Sequence, residues 1–460
     1  MASPARGFDA ELTADTNASA WQVRGPAGAA VLSLRRLTQT LTLAGATRPD
    51  DPRDPVLRVR ARLRIDSDFG TSCQPGTDAC LDELNASRAS EFAPLFARRA
   101  VDLPYAYVEL AGLGRGAVDL RAGRQLLVDP LGFFLFDGVL ARLNVARVAS
   151  VEAYAGYETR AGFPLSNGRF ERDGLLRADR ADWDRSLATS VLDRAAAPAV
   201  GASLDVHPSS RVEGRFSWRR VWSADGVVEE SVAARGAVAL GSVARLYAEA
   251  VYVVPLATVS LGTAGIEGYP ARGGRWTVEV SRVRPVFDLT SIWASFWIDP
   301  TDELRAAYST PVGRGNDLSL AAWGRRYALD AETLPNHPAD VAAPYNGGAS
   351  ASFRRRRDRW DLAVRAAFEG GDLGVRGNAD AELRAWVVRG VMRVDAMLSF
   401  VHVRDALRPD RALDGVGVVA GVMFPLGRIA QLAVSLEDDV NGIVGQRIRA
   451  MSVLQLRNIP

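Results

Sequence analysis

Apolar and polar side chains alternate with a period of two residues along much of the chain. From Val56 to Asp66, leucine, valine, alanine and isoleucine occupy every second position, and arginine occupies the positions between them. The same pattern recurs from Arg211 to Trp222 and from Arg359 to Glu369. Because successive side chains of a β-strand point to opposite faces, the pattern predicts strands with one apolar face and one polar face.

The predicted strands are about 9–13 residues long, which is the length that a tilted strand needs to cross a bilayer; strands of globular proteins centre on about 5–6 residues. Short turns such as Gly114-Arg115 and Gly427-Arg428 alternate with longer polar connections. The expected longer connections are Ser67–Leu103, Leu127–Asp137, Arg160–Ala196, Thr258–Gly273 and Leu329–Asn346. Short turns at one end and long loops at the other are typical of outer-membrane barrels.

We therefore predict an all-β fold: a single closed antiparallel transmembrane β-barrel with short periplasmic turns and long extracellular loops. We expect about 18 strands, within a range of about 16–22. The chain 1–460 is interpreted as one barrel domain, with residues 1–27 as an N-terminal segment outside the wall or a plug, and with 67–103 and 160–196 as long loops. A soluble all-β protein would also alternate, but so many long apolar rows exposed to water would cause aggregation.

Composition adds little to this interpretation. The chain has 56 basic and 54 acidic residues, and every one of the 56 is arginine. The near balance of charge gives no reason to expect nucleic acid as a partner, and no stretch approaches 18 consecutive apolar residues, so no transmembrane helix is expected. Since the first residues lack the features of a signal peptide, we expect this to be the mature form of a protein of the bacterial outer membrane.

Two cysteines bear on the cellular compartment. Cys73 and Cys80 flank a turn-rich hexapeptide that can close into a small loop. A disulfide between them would indicate an extracytoplasmic compartment. Two free thiols are the alternative.

In a barrel whose apolar faces contact lipid, the polar faces line the interior. Arg58, Arg60, Arg62 and Arg64 would then form a row along one wall, called the arginine ladder below. Guanidinium groups are always charged and bind carboxylate or phosphate in pairs, so such a row favours passage of an anion. Further pore-lining candidates are Arg211, Arg215, Arg219, Arg365 and Arg384. Alternatively, these arginines pair with lumen acids such as Glu152, Glu213, Asp361, Glu382 and Glu437.

One short motif suggests a family. Gly123-Arg124-Gln125 is expected to end a strand, and Asp137-Gly138-Val139 to begin the next strand after a loop. This arrangement resembles the alginate-export type of outer-membrane porin-like barrels. The resemblance implies an arginine-lined pore that exports an anionic exopolysaccharide, with a periplasmic polysaccharide-export protein as a possible partner. It also implies that Arg124, Gln125 and Asp137 lie at the pore constriction.

The sequence thus predicts a passive outer-membrane conduit, with no catalytic residues, no cofactor and no metal, whose partners are membrane lipid and a polysaccharide or small anionic solute. One alternative is a general or substrate-selective porin for small solutes, and another is a structural barrel of a surface complex. A lipid-modifying enzyme would need His402 with Ser399 or Ser452, and an interfacial histidine without catalytic function is the favoured interpretation.

Overall fold

The structure is a computed structural model of the 460-residue chain. It describes residues 7–24, 30–49, 51, 54–68, 100–145, 148–159, 197–223, 226–270, 273–284, 300–327, 344–406, 412–427, 429–442 and 445–459. The predicted disulfide between Cys73 and Cys80 lies outside the described residues, as do most residues of the two expected loops, 67–103 and 160–196.

Twenty-two antiparallel strands in the described ranges form one sheet. Their bounds are β1 Phe8–Arg24, β2 Ala30–Thr47, β3 Val56–Asp68, β4 Ala100–Gly112, β5 Val118–Asp129, β6 Gly132–Val145, β7 Ala149–Glu158, β8 Pro198–Ser209, β9 Val212–Ser223, β10 Gly226–Leu240, β11 Ala244–Val253, β12 Thr258–Gly268, β13 Arg275–Val283, β14 Thr301–Pro311, β15 Asn316–Tyr327, β16 Tyr345–Arg356, β17 Trp360–Gly371, β18 Gly374–Val388, β19 Met392–Asp405, β20 Leu413–Leu426, β21 Ala430–Asn441 and β22 Gly445–Ile459. A four-residue helical turn, α1 (Leu113–Gly116), joins β4 to β5.

The sheet closes on itself. Each strand pairs with its neighbours in sequence, and β1 also pairs with β22, from Leu12 opposite Ile459 to Arg24 opposite Gln446. The prediction of a closed antiparallel barrel is therefore confirmed, whereas the strand number is 22 instead of about 18.

Part of the error in strand number comes from the N-terminus. Residues 1–27 were expected outside the wall, but residues 8–24 lie in the wall as β1. Four outward positions of β1 are alanine (Ala10, Ala14, Ala18 and Ala20), so its alternation is weak in the sequence. Two expected connections are also wrong, because Leu127–Asp137 holds the ends of β5 and β6 around a two-residue turn, and Thr258–Gly273 contains β12.

The connections differ between the two ends of the barrel. Residues 69–99, 159–197, 284–300 and 328–344 join strands at one end, which we call the loop end. At the other, the turn end, the longest connection comprises residues 48–55, and both the start of β1 and the end of β22 lie there. In outer-membrane barrels the long loops face outside the cell and the short turns face the periplasm.

The outer surface is apolar, as alternation predicts for a wall in contact with lipid. Exposed leucine, valine and phenylalanine side chains share this face on strands all around the barrel. Examples are Leu41, Leu43, Val108, Leu110, Val139, Leu143, Phe216, Val238, Leu246, Val278, Val280, Leu304, Leu320, Phe353, Val364, Leu383, Leu398, Val416, Val418, Val434 and Leu436. None of the helices in the described part of the chain is long and apolar enough to cross a membrane.

Candidate functional site: the inner wall and an inner hairpin

The arginine ladder lies on the inner face of β3. Arg58 contacts Glu109 of β4 at 3.4 Å, on the face opposite to the exposed Val108 and Leu110. The neighbouring strand β2 presents only small side chains to the ladder. The register partners of the four arginines are Thr40, Thr42, Ala44 and Ala46. The guanidinium groups therefore have room to extend into the lumen.

Two members of the ladder have no acidic partner among the residues that the structure describes. Arg58 pairs with Glu109, and Glu109 also lies 3.5 Å from Arg121 of β5. Arg60 and Arg62 are exposed to the lumen, and neither forms an ion pair within the described residues. The middle of the ladder thus forms a positively charged stripe on the inner face of β3.

The other predicted pore-lining arginines on strands are paired with acids. Arg215 lies 3.6 Å from Glu152 and 3.5 Å from Asp205. Arg365 lies 3.6 Å from Asp380, and Arg384 pairs with Glu382. Glu213, Asp361 and Glu437 likewise pair with Arg245, Arg354 and Arg447. The alternative interpretation, in which arginines pair with lumen acids, therefore describes most of the wall but not the centre of the ladder.

Arg211 differs from the other candidates because it lies in the turn between β8 and β9, at the turn end. Its side chain is exposed, and it forms no ion pair in the described part of the chain.

The loop-end part of the β5–β6 hairpin, residues 123–138, leans over the inner wall, and we call it the inner hairpin. Its pairing with β4 stops at Ala106 opposite Arg124, although β5 continues to Asp129. At its tip, the carbonyl oxygen of Leu131 accepts a hydrogen bond of 3.3 Å from Arg219 of β9. Adjacent strands are about 4.8 Å apart, so a contact between β6 and β9 requires the sheet to curl sharply inward.

An apolar cluster holds the inner hairpin against β7, β8 and β9. The rings of Phe134 and Phe136 lie with their centroids 5.7 Å apart, and Phe136 is 5.0 Å from Tyr154 of β7. The guanidinium carbon of Arg219 lies 4.5 Å from the centroid of Phe134, and Arg219 also pairs with Glu229 at 2.8 Å. The cluster comprises Leu127, Phe134, Phe136, Leu140, Tyr154, Ala197, Ala199 and Val221.

A row of three glycines makes the bend possible. Gly123, Gly138 and Gly156 are register partners on β5, β6 and β7, and all three lie on the inner, concave face. A Cβ at Gly138 would overlap the carbonyl oxygen of Ala155, and Gly123 has a φ of 123°, which side chains rarely adopt. Glycine in a strand often marks such close backbone approach at a barrel corner.

The structure corrects the placement of the residues that carried the family resemblance. Arg124 and Asp137 were expected at a constriction after a strand end, but they are opposite each other within the hairpin and on its outer face. Arg124 donates from Nε to Asp137 Oδ1 at 2.7 Å and from Nη2 to Oδ2 at 2.8 Å. Alternation along β5 decides this orientation. Leu120, four residues before Arg124 and therefore on the same face, is exposed to lipid, whereas Arg121 faces the lumen beside Glu109.

Gln125 does lie on the inner side, where it is fully buried within the bent hairpin. Its Nε2 donates to the carbonyl oxygen of Gly138 at 3.0 Å, so it fastens β5 to β6 at the bend. Sequence reasoning missed the apolar cluster beside it. The run Phe133-Phe134-Leu135-Phe136 was the available signal, since it interrupts alternation with apolar residues on both faces.

The residues considered for a lipid-modifying enzyme do not come together. His402 Nδ1 lies 2.6 Å from Asp414 Oδ1 on the outer face, and Asp414 also pairs with Arg404 at 2.7 Å. Ser399 donates to the carbonyl oxygen of Gly417 at 3.3 Å, on the inner side of β19. Ser452 lies on β22, which pairs with β21 and β1 and not with β19.

Comparison with known proteins gives structural likeness only. No family model matches the chain, and no curated protein matches it. Similar solved structures include Pseudomonas aeruginosa OccK2 (OpdF), at 10% identity over 99% of this chain and 100% of that chain with a TM-score of 0.44. P. aeruginosa OpdK with vanillate is 9% identical over 98% of this chain and 100% of that chain, with a TM-score of 0.44. Acinetobacter baumannii OccAB2 is 8% identical over 98% of both chains, with a TM-score of 0.43.

None of these likenesses supports alginate-export specificity or a periplasmic export partner. What the chain's own geometry establishes is coarser. A closed sheet satisfies every strand edge, and its apolar outer surface and polar interior are those of a porin-like barrel in the bacterial outer membrane.

Proposed function

We propose that the protein is an outer-membrane porin through which small polar solutes diffuse passively. The observation that carries this proposal is the inner hairpin, which extends from the wall over the inner faces of β7–β9 and occupies part of the lumen. A lumen narrowed by a packed, apolar-anchored hairpin suits small solutes better than a polysaccharide chain. The mostly paired charges of the remaining wall are compatible with a water-filled passage.

The arginine ladder supports a preference for anionic solutes. Arg60 and Arg62 extend to the lumen beside the short side chains of β2, with no ion pair to any acid in the described part of the chain. Arg58 and Arg64 extend the row toward the turn end and the loop end. Successive weak sites of one charge allow an anion to move along the wall without being trapped.

A test of this preference removes the charges of Arg60 and Arg62. In the variant with Arg60→Gln and Arg62→Gln, we expect the anion-to-cation permeability ratio to fall about 3-fold, because each charge contributes only a few tenths of a kcal/mol in water and salt. The ratio is measured from the reversal potential of single channels under a salt gradient. Replacement of both residues by lysine keeps the charge and should keep the ratio; an unchanged ratio in the glutamine variant would contradict the role of the ladder.

The proposed function itself is tested by single-channel recording of the purified protein in a planar bilayer. We expect discrete conductance steps from an open channel. Small polar solutes should pass through the channel, and larger neutral polymers should be excluded and leave its conductance unchanged. Strong block by acidic oligosaccharides, with no exclusion of polymers, would favour polysaccharide export instead. A silent bilayer would favour a structural barrel of a surface complex.

A further inference from the structure

Charged side chains on the outer face are arranged asymmetrically. Among the described strands, outward-facing acidic residues lie only near the loop end; arginines of adjacent strands contact four of them, and Gln446 contacts the fifth, Asp438. Each pair bridges two strands that are joined at the loop end. The pairs are Arg124–Asp137 at 2.7 Å, Arg220–Glu230 at 2.6 Å, Arg282–Asp302 at 2.6 Å and Arg404–Asp414 at 2.7 Å.

One of these pairs belongs to a larger group, which we call the rim cluster: Arg282, Arg284, Asp302 and Arg326. Asp302 of β14 is the register partner of Arg282 on β13 and of Arg326 on β15. Arg282 donates from Nε to Asp302 Oδ1 at 2.6 Å and from Nη2 to Oδ2 at 3.0 Å. Arg326 is thus next to Asp302 across the sheet, and Arg284 follows Arg282 by two residues, just past the end of β13.

The rim cluster has an excess of two positive charges. Within the described residues neither Arg284 nor Arg326 forms an ion pair of its own, and both side chains are exposed. Asp302 uses both carboxylate oxygens on Arg282, whose side chain is still 54% exposed. One acid, bonded to Arg282, is thus accompanied by three arginines, and Arg282, Asp302 and Arg326 lie on the outer face of the barrel.

The position of the rim cluster along the strands corresponds to the edge of the apolar band. Val280 and Leu304 are exposed apolar residues on the same outer face. They are register partners and lie two residues closer to the turn end than Arg282 and Asp302. Tyr345, the register partner of Arg326, is 58% exposed. Tyrosine and arginine at the end of an apolar band are typical of the depth at which lipid headgroups lie.

We propose that the rim cluster binds the phosphate of an anionic lipid headgroup in the outer leaflet of the membrane. Guanidinium groups bind phosphate oxygens through paired, charge-assisted hydrogen bonds. Asp302 orients Arg282; Arg326 lies on the other side of Asp302, on β15, and Arg284 follows Arg282 by two residues, past the loop end of β13. Near the turn end, the outward-facing Arg355 of β16 lies over the ring of Trp360, so this guanidinium is held against an aromatic side chain.

The test uses the full chain in detergent, titrated with bisphosphorylated lipid A and with the same lipid lacking both phosphates, and bound lipid is counted by native mass spectrometry. We expect the bisphosphorylated lipid to bind at least about 10-fold more tightly, because each arginine near an anionic headgroup contributes to affinity. Equal affinity for the two lipids would overturn the proposal. Displacement of the lipid by an equimolar amount of inorganic phosphate would assign the site to a free anion and would also overturn it.

Matched variants locate the site. The triple variant Arg282→Gln, Arg284→Gln and Arg326→Gln should lose the preference for phosphorylated lipid. The control triple variant Arg314→Gln, Arg355→Gln and Arg359→Gln removes the same charge at the turn end and should keep it. Equal loss in both variants would show that net charge alone decides binding. If the first variant does not fold, as judged by heat-modifiable electrophoretic mobility, equal affinity of the unmodified protein for the two lipids still overturns the proposal.

Discussion

Replacing Phe136 with alanine is expected to release the inner hairpin from the wall and to raise single-channel conductance. The Phe136 side chain is completely buried, and its ring lies 5.0 Å from Tyr154 and 5.7 Å from Phe134, centroid to centroid. Loss of a buried phenyl ring costs about 3–5 kcal/mol. The inner hairpin has no pairing with β4 beyond Arg124, so this cluster carries most of its attachment to the inner wall, together with β7.

The matched control for this variant is Phe133→Ala on the same hairpin. Phe133 lies on the opposite face and is 77% exposed, so its removal creates no cavity in the cluster. Conductance of the Phe133 variant should therefore remain close to that of the unmodified channel in the same planar bilayer. Equal conductance in the Phe136 variant and the control would mean that the hairpin either stays in place without the ring or does not narrow the passage.

The strands and their faces could be predicted from the sequence, because lipid and water impose a period of two. Leu57 to Ile65 alternate with the arginine ladder as expected, and Phe216, Trp218 and Trp222 lie on the outer side of β9 opposite Arg215 and Arg219. Where lipid contact is made by alanine, as along β1, the same reasoning failed and the strand number came out too low. Alternation reports hydrophobicity, and it cannot report a wall built from small residues.

Long-range contacts could not be predicted, because they depend on which strands curl toward each other. The contact between Leu131 and Arg219 joins residues far apart in sequence. Trp323 faces the lumen and not the lipid, and its Nε1 donates to Glu369 at 3.0 Å. Arg325 also contacts Glu369 at 3.0 Å, so the acid is surrounded by donors from β15. A tryptophan in a strand has the same sequence signature whether its indole faces the lipid or the lumen.

The charge of the lumen shows a similar limit. The composition is nearly neutral, with 56 basic and 54 acidic residues. It does not show where on the inner wall basic residues outnumber acidic ones. Register decides this: β17 and β18 bring Arg365 opposite Asp380, whereas β2 brings only Thr42 opposite Arg62. The local charge of the lumen therefore depends on pairing between neighbouring strands, and the ladder stands out only once its partners are known.

Replacing Gly138 with alanine is expected to straighten the bend of the inner hairpin. The new Cβ would overlap the carbonyl oxygen of Ala155 and approach Gly156, so the backbone of β6 or β7 must move. Forcing extra volume into a packed site costs about 1–3 kcal/mol. The matched control is Gly324→Ala, since a Cβ at Gly324 would meet nothing within 4 Å. Conductance of the Gly138 variant should rise, and that of the control should not change.

The double variant with Gly138→Ala and Phe136→Ala distinguishes a shared cause from two separate ones. If the glycine row and the apolar cluster hold the same hairpin, release by one change leaves little for the other to release. The combined effect on conductance and on thermal stability should then be smaller than the sum of the single effects, as for residues that act through one element. Full additivity would show that Gly138 and Phe136 act on separate parts of the barrel. In that case the bend would serve only the curvature of the wall, and the cluster alone would hold the hairpin in the lumen.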